Sequence, residues 1–253
     1  MSTFRVLCIA GGGGGGGAGD GSGGGGAGGF KDDAAVSLVD FVEYDVTIGV
    51  GGALANKGGD TSLGVIIETE GGGKGGRNFG ESGGNGGSGG GGGAERDSQG
   101  VGGIGVSGQG FNGGNSRDGN GASGGTPSRP DRGGAGGGAS QAGGDATTEP
   151  TRGGAGGAGQ TSNITGTAVI YAGGGRGLPS GVNGAGQANA GGGGDASAGQ
   201  DGILIVRYTL ADVPHSYVGG TVTDIGGDRI HVFTSNGKLS PFLPPNAIPA
   251  LIS

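Results

Sequence analysis

Hydrophobic positions in this chain fall into short runs separated by long stretches that carry almost none. The first run, residues 4–10, leads directly into unbroken glycine at 11–17. A second region, 36–50, ends in strict alternation. Val42, Tyr44, Val46, Ile48 and Val50 lie on one side, with Glu43, Asp45, Thr47 and Gly49 on the other. That period of two predicts a half-buried strand. Residues 63–69 predict a third strand, with Val65 and Ile67 alternating with Gly64 and Glu68, and 169–172 predict a fourth. A fifth, 203–208, is apolar on nearly both faces, which predicts a central position in its sheet. After Leu210 the composition becomes ordinary. There 217–223 and 229–233 predict strands, and Ser235, Asn236 and Gly237 predict a hairpin turn, because Asn-Gly tolerates positive φ. No segment shows the spacing of an amphipathic helix.

Glycine fills the space between these runs, supplying 79 of 253 residues. It adds no side chain to a core and loses more freedom on ordering than any other residue. The strand motifs at both ends imply that it is ordered nonetheless. Collagen requires a strict Gly-X-Y period and abundant proline; here glycine runs in irregular blocks and proline totals 9. A Gly/Ser linker would be mobile. Calcium-binding nonapeptide repeats are excluded because Ser197 stands where an apolar residue belongs. What remains is extended, polyproline-II-like glycine segments that pack side by side and bond through their backbones. Polar interruptions at 77–82, 94–99, 111–120, 126–132, 146–152 and 176–183 read as the turns between them. The predicted fold is mainly β with a polyglycine-II helix bundle, few or no α-helices and a small C-terminal β segment. The boundary falls between 1–210 and 211–253. Pro241, Pro244, Pro245 and Pro249 mark an extended tail in which Phe242, Leu243, Ile248, Leu251 and Ile252 are candidate docking residues, since an exposed apolar extension seeks a partner.

Charge and chemistry narrow the function further. A net charge of -7 argues against a nucleic-acid surface, which needs clustered Lys and Arg. Two Arg-Gly-Gly triplets, at Arg132 and Arg152, read as turn arginines and not as an RNA-binding array. The Gly-x-Gly-x-x-Gly match after 6–10 is empty, because a glycine run satisfies any glycine pattern and no helix follows. Lys74 lacks the Ser/Thr that would follow it in a P-loop. The sequon at Asn163 has no secretory signal to give it meaning, and the run at 4–10 is too short to be one. His215 and His231 have no Cys or carboxylate at ligand spacing, so no metal or cofactor is expected. Cys8 sits in an apolar run and reads as an inert core thiol. No nucleophile–base or paired-carboxylate set appears, so no enzymatic activity is expected. No apolar stretch approaches the ~20 residues of a membrane span.

The ordered set of motifs resembles the glycine-rich domain of bacteriophage tail fibre and tail tip proteins. Those domains open with a strand like Val6-Leu7-Cys8-Ile9-Ala10 running into polyglycine, followed by one like Tyr44-Asp45-Val46-Thr47-Ile48-Gly49. Next comes a segment like that from Ile164 to Gly174, and they close with a strand like Gly202 to Tyr208. The segments at 220–222 and 229–237 are also similar to a family segment, one that usually precedes the opening strand and here follows the closing one. It is expected either to pair back onto 4–10 or to swap onto a neighbouring subunit.

The resemblance implies a virion structural protein of the tail (fibre, tail tip or baseplate), made and assembled in the host cytoplasm. Its partners would be other tail proteins and copies of itself, a homotrimer being the expected assembly. It also implies an alternative, an adhesin whose inter-helix loops touch a host surface glycan or outer-membrane protein. The candidate receptor-facing residues are Arg77, Asn78, Phe79, Phe111, Asn112, Arg117, Asp118, Arg129, Asp131 and Arg132. A non-viral glycine-rich surface or RNA-binding protein is the remaining reading.

Overall fold

The computed structural model describes residues 1–119, 130–148, 152–184, 189–213 and 215–242. Among them are fourteen strands and no helix. In chain order these are β1 (Ser2–Ile9), β2 (Phe30–Leu38), β3 (Tyr44–Thr47), β4 (Thr61–Leu63), β5 (Ile67–Thr69), β6 (Ala94–Glu95), β7 (Ser98–Gln99), β8 (Gln160–Ser162), β9 (Val169–Tyr171), β10 (Ile203–Thr209), β11 (Tyr217–Val218), β12 (Thr221–Ile225), β13 (Asp228–Phe233) and β14 (Gly237–Pro241). Two five-stranded antiparallel sheets carry the hydrophobic core, in the orders β12-β13-β10-β1-β2 and β11-β14-β3-β4-β5. β4 packs across β1 and β10 of the opposing sheet.

β10 is central, as its two-sided apolar pattern predicts. Leu204, Val206 and Tyr208 face the second sheet alongside Phe4, Val6 and Cys8 of β1, and meet Val46, Leu63 and Leu239 there. Ile205 points the other way, with Leu7, Ile9 and Ile230, onto Ile164, Tyr171 and Ala172. Each such fully buried aliphatic contributes roughly 1.5–3 kcal/mol. Two cross-strand arginines, Arg5 and Arg207, stand opposite each other in the β1–β10 register. They fix the loop that supplies Ile164: Arg5 Nη1 donates to Asn163 Oδ1 at 2.8 Å, and Arg207 Nη1 to the Ile164 carbonyl at 3.0 Å.

Several expectations need correction. Residues 63–69 form a hairpin and not one strand. Gly64 turns at φ 51, Leu63 pairs with Ile67, and Val65 at the tip is 100% exposed. Of the five apolar positions in the 42–50 alternation, Tyr44, Val46 and Ile48 are buried; Val42 and Val50 lie beyond the ends of β3 and are exposed. The 217–223 strand breaks into β11 and β12 at Gly219 and Gly220, both with positive φ. Asn236–Gly237 does not close a hairpin. The chain there leaves the first sheet for the second, and Asn236 Oδ1 accepts from the Ile48 amide at 2.8 Å. β13 pairs within its own chain, but onto β10 and not onto β1. Strands from both sides of residue 210 thus share both sheets. The 94–99 interruption is a small hairpin, β6–β7, with Arg96 at φ 42.

The glycine is packed. Residues 11–16 show how. The amides of Gly11 and Gly14 donate to the carbonyls of Gly59 and Asn56, those of Gly12 and Gly15 to Gln200 and Ser197, and those of Gly13 and Gly16 to Gly26 and Gly23. Donors three apart reach the same neighbour, which is the repeat of a helix with three residues per turn. The same residues accept from Gly52 and Ala55, from Gly72 and Gly75, and from Gly194. Three neighbouring segments accept and three donate, so six surround this helix. Residues 23–29 are enclosed in the same way. They donate to the 70–76, 134–137 and 191–194 segments and accept from Gly13 and Gly16, from Ser88 and Gly91, and from Gly175. This is a polyglycine-II bundle. Most positions inside it have no room for a side chain, although Ala27 and Ala135 are fully buried there: a Cβ on Gly25 would stand 2.1 Å from the Gly13 carbonyl oxygen, and one on Gly91 2.1 Å from that of Gly134.

Candidate functional site

The ladders also fix which turn lies at which end. Residues 11–16 run away from β1. Residues 71–76 run parallel to them, since Gly72 and Gly75 donate to Gly11 and Gly14. Residues 88–93 run parallel in turn, since Gly73 and Gly76 donate to Ser88 and Gly91. The turns after both therefore lie at the end far from the sheets. Gly89 and Gly92 donate to Phe111 and Gly114, so 111–116 starts at the sheet end and finishes at the far end.

This divides the candidate residues. Arg77, Asn78, Phe79, Arg117, Asp118, Asp131 and Arg132 share the far end; Phe111 and Asn112 lie at the sheet end. Arg129, with the tail residues Leu243, Ile248, Leu251 and Ile252, lies outside the described residues, whereas Phe242 is 52% exposed just after β14. At the far end Phe79 is 66% exposed, Arg77 is exposed in the same turn, and Arg117 is exposed in another turn at that end. Asn78 packs against Gly19, where a Cβ would meet its Nδ2 at 2.7 Å.

Two candidates hold turns together. The Asp131 carboxylate accepts from the Arg96 amide at 3.0 Å and the Gly119 amide at 2.9 Å, tying three turns into one surface. Arg132 is only 2% exposed, which corrects its reading as a receptor-facing residue. Its guanidinium donates to the Thr147 carbonyl at 2.8 Å and the Asp118 carbonyl at 2.9 Å. A buried arginine satisfies several carbonyls at once because its donors are fixed in a planar fork.

Asn112 has another task. Its Oδ1 accepts from the Gly105 amide at 2.9 Å, and Asn115 Oδ1 accepts from Gly102 at 3.0 Å. On the other flank of the same helix, Ser82 Oγ and Asn85 Oδ1 accept from Val101 at 3.4 Å and Ile104 at 2.8 Å. Residues 100–105 form a corner helix with backbone neighbours on only part of its circumference, and side chains from adjacent helices complete the rest. The signal was present in the sequence: Ser82 and Asn85, Val101 and Ile104, and Asn112 and Asn115 are each separated by Gly-Gly, while the enclosed helices 11–16 and 23–29 are glycine throughout except for Ala27.

At the sheet end a groove of about 1290 Å³ opens between β2 and the β4–β5 hairpin, lined among others by Phe30, Lys31, Asp33, Ile66, Glu68 and Phe111. Sequence reasoning missed it because the hairpin was read as a continuous strand. Asp32 beside it is bound to Arg5 at 2.7 Å and to Ser162 at 2.6 Å. Burial pushes its carboxyl up, but these hydrogen bonds outweigh that and hold it below the usual carboxylate range. Cys8 is fully buried, and desolvation pushes its thiol up to about 11. His231 is buried in β13, stacked on Tyr208, with Nδ1 2.8 Å from the Gly219 carbonyl, and burial pushes its pKa down. Among the described residues no cluster of His, Cys, Asp or Glu could hold a metal, and no helix is long and apolar enough to cross a membrane.

The strands and the lattice together define a strand-framed polyglycine-II protein. A family model described as "Glycine-rich domain" matches residues 1–209, from β1 through β10, and the chain belongs to that family. No curated protein and no solved structure matches it.

Proposed function

We propose that this chain is a structural protein of a bacteriophage tail, in the fibre, tail tip or baseplate, acting mechanically and without catalysis. The observation that carries this reading is the bundle. Backbone hydrogen bonds run in several directions across it, so bending or shearing the body breaks many at once. Stiffness in the bundle is obtained without an apolar core of its own, and a backbone whose amides and carbonyls are already bonded to enclosing neighbours offers a protease little to grip. The exposed Phe242 after β14 supports docking of the C-terminal segment to a tail partner or a sister subunit, with a trimer as the assembly. The virion is its proposed location, reached from the host cytoplasm. Averaged images of particles, labelled with an antibody to this chain, test the reading. Label on the tail is expected; purified particles free of the chain would overturn it.

A second reading has its own support. The far end carries exposed Arg77, Phe79 and Arg117, away from the two five-stranded sheets, and Asp131 ties the 94–99 and 117–119 turns there. An adhesin would touch a host glycan or outer-membrane protein there. In that case Phe79→Ala with Arg77→Ala leaves thermal stability unchanged and abolishes competition by the purified protein for adsorption. Unchanged competition by the variant would remove the adhesin reading and leave the structural one standing.

A further inference from the structure

The corner helix at 100–105 points to an interaction surface that is present but closed. Interior helices of the bundle, such as 11–16 and 23–29, bond to a ring of backbone neighbours. Among the described residues, helix 100–105 bonds through its backbone to the segments at 90–93, 83–86 and 113–116 alone. Gly102 and Gly105 lie on one outward row, and that row donates to Asn115 and Asn112 side chains. Val101 and Ile104 lie on the next, donating to Ser82 and Asn85. A further polyglycine-II helix laid along either row would offer carbonyls at the same three-residue repeat, about 9.3 Å apart at ~3.1 Å per residue. The asparagine amides stand in the place of those carbonyls.

We infer that the Gly102/Gly105 face is competent to bind another polyglycine-II helix from a second copy of this chain, and that Asn112 and Asn115 hold it closed. The physical situation is that of an exposed strand edge, whose unpaired donors recruit another chain unless they are blocked. The caps differ from ordinary turn asparagines in their register. Residues 112 and 115 meet 105 and 102, so both caps fall on one row. Val101 and Ile104, 60% and 62% exposed on the neighbouring row, add apolar area that an incoming helix would cover. The inference rests on the hydrogen-bond geometry alone and stands whether or not the chain belongs to a tail.

The test is the double variant N112G/N115G in the full chain, compared with N112D/N115D, which keeps an acceptor oxygen at each position. Sedimentation velocity of N112G/N115G is expected to show a species of about twice the wild-type mass, as an isologous pairing requires. The Gly102 and Gly105 amides should exchange faster than in the wild type on dilution and regain protection as concentration rises. N112D/N115D is expected to keep the wild-type mass. Wild-type mass for N112G/N115G at every concentration, with its circular dichroism unchanged, would overturn the inference, and so would equal association of both variants. If N112G/N115G does not fold, the single variant Asn115→Gly uncovers Gly102 alone and is judged by the same readouts.

Discussion

A Cβ on Gly13 would stand 2.2 Å from the carbonyl oxygen of Gly73. No rotamer relieves this contact, because both partners are backbone and both are held by further hydrogen bonds. Gly13→Ala must therefore spread the lattice, and is expected to cost more than the ~1–3 kcal/mol of ordinary overpacking. Gly237→Ala is the control: the new methyl would lie 3.5 Å from the Phe233 ring, an ordinary contact. It should change stability by no more than about 1 kcal/mol. Chemical denaturation of both variants checks the pair, and equal effects would contradict the packing described.

Acid should loosen the frame. Asp228 is held below the usual carboxylate range by Arg207 and Thr209, and Glu81 by Lys74. Asp32 is held low by Arg5 and Ser162 against the opposing effect of burial. A carboxylate whose folded pKa is depressed takes up its proton first in the unfolded chain. Its contribution is complete above the unfolded value, about 4, and is lost as pH falls through the folded one. Thermal midpoints should be flat near neutrality and drop below about pH 4. Asp32→Asn should lower the neutral midpoint, by roughly 1–2 kcal/mol in stability, and flatten the acid limb. A variant with the wild-type acid limb would show that Asp32 plays no part.

The sequence made the frame readable and the lattice only partly so. β1, β3, β9, β10 and β13 were visible because their apolar residues are β-branched or aromatic and alternate, or run unbroken at a sheet centre. The N-terminal half of β2, from Phe30 to Ala35, escaped because Lys31, Asp32 and Asp33 lie on an edge strand, where burial does not select composition. The 63–69 hairpin looked like one strand because Gly64 occupies a position that alternation assigns to the polar face, while its positive φ turns the chain. Extended glycine packing follows from composition, but the identity of each neighbour does not, since glycine carries no side chain to specify it. That information resides in the interruptions. Arg132 and Asp131 looked like exposed turn residues and instead bind turns to one another, a role that depends on contacts between segments far apart in sequence.

Cys8 should resist modification. Its thiol is desolvated between the sheets, 3.3 Å from Thr69 Oγ1, with its pKa pushed up to about 11. Almost no thiolate exists near neutral pH, and reagents cannot reach the sulfur. An aromatic disulfide reagent should label it only as fast as the protein unfolds, with denaturant restoring full reactivity. Immediate labelling of the native protein would contradict the packing of β1.

The central claim is that each amide of an enclosed glycine helix bonds to a different neighbour in a three-residue cycle. Through-hydrogen-bond couplings between amide nitrogens and carbonyl carbons, measured by nuclear magnetic resonance on isotopically labelled protein, read this bond by bond. Gly12 should couple to Gln200 and Gly15 to Ser197, while Gly13 couples to Gly26 and Gly16 to Gly23. Couplings confined to residues close in sequence, or none at all from residues 11–16, would contradict the bundle.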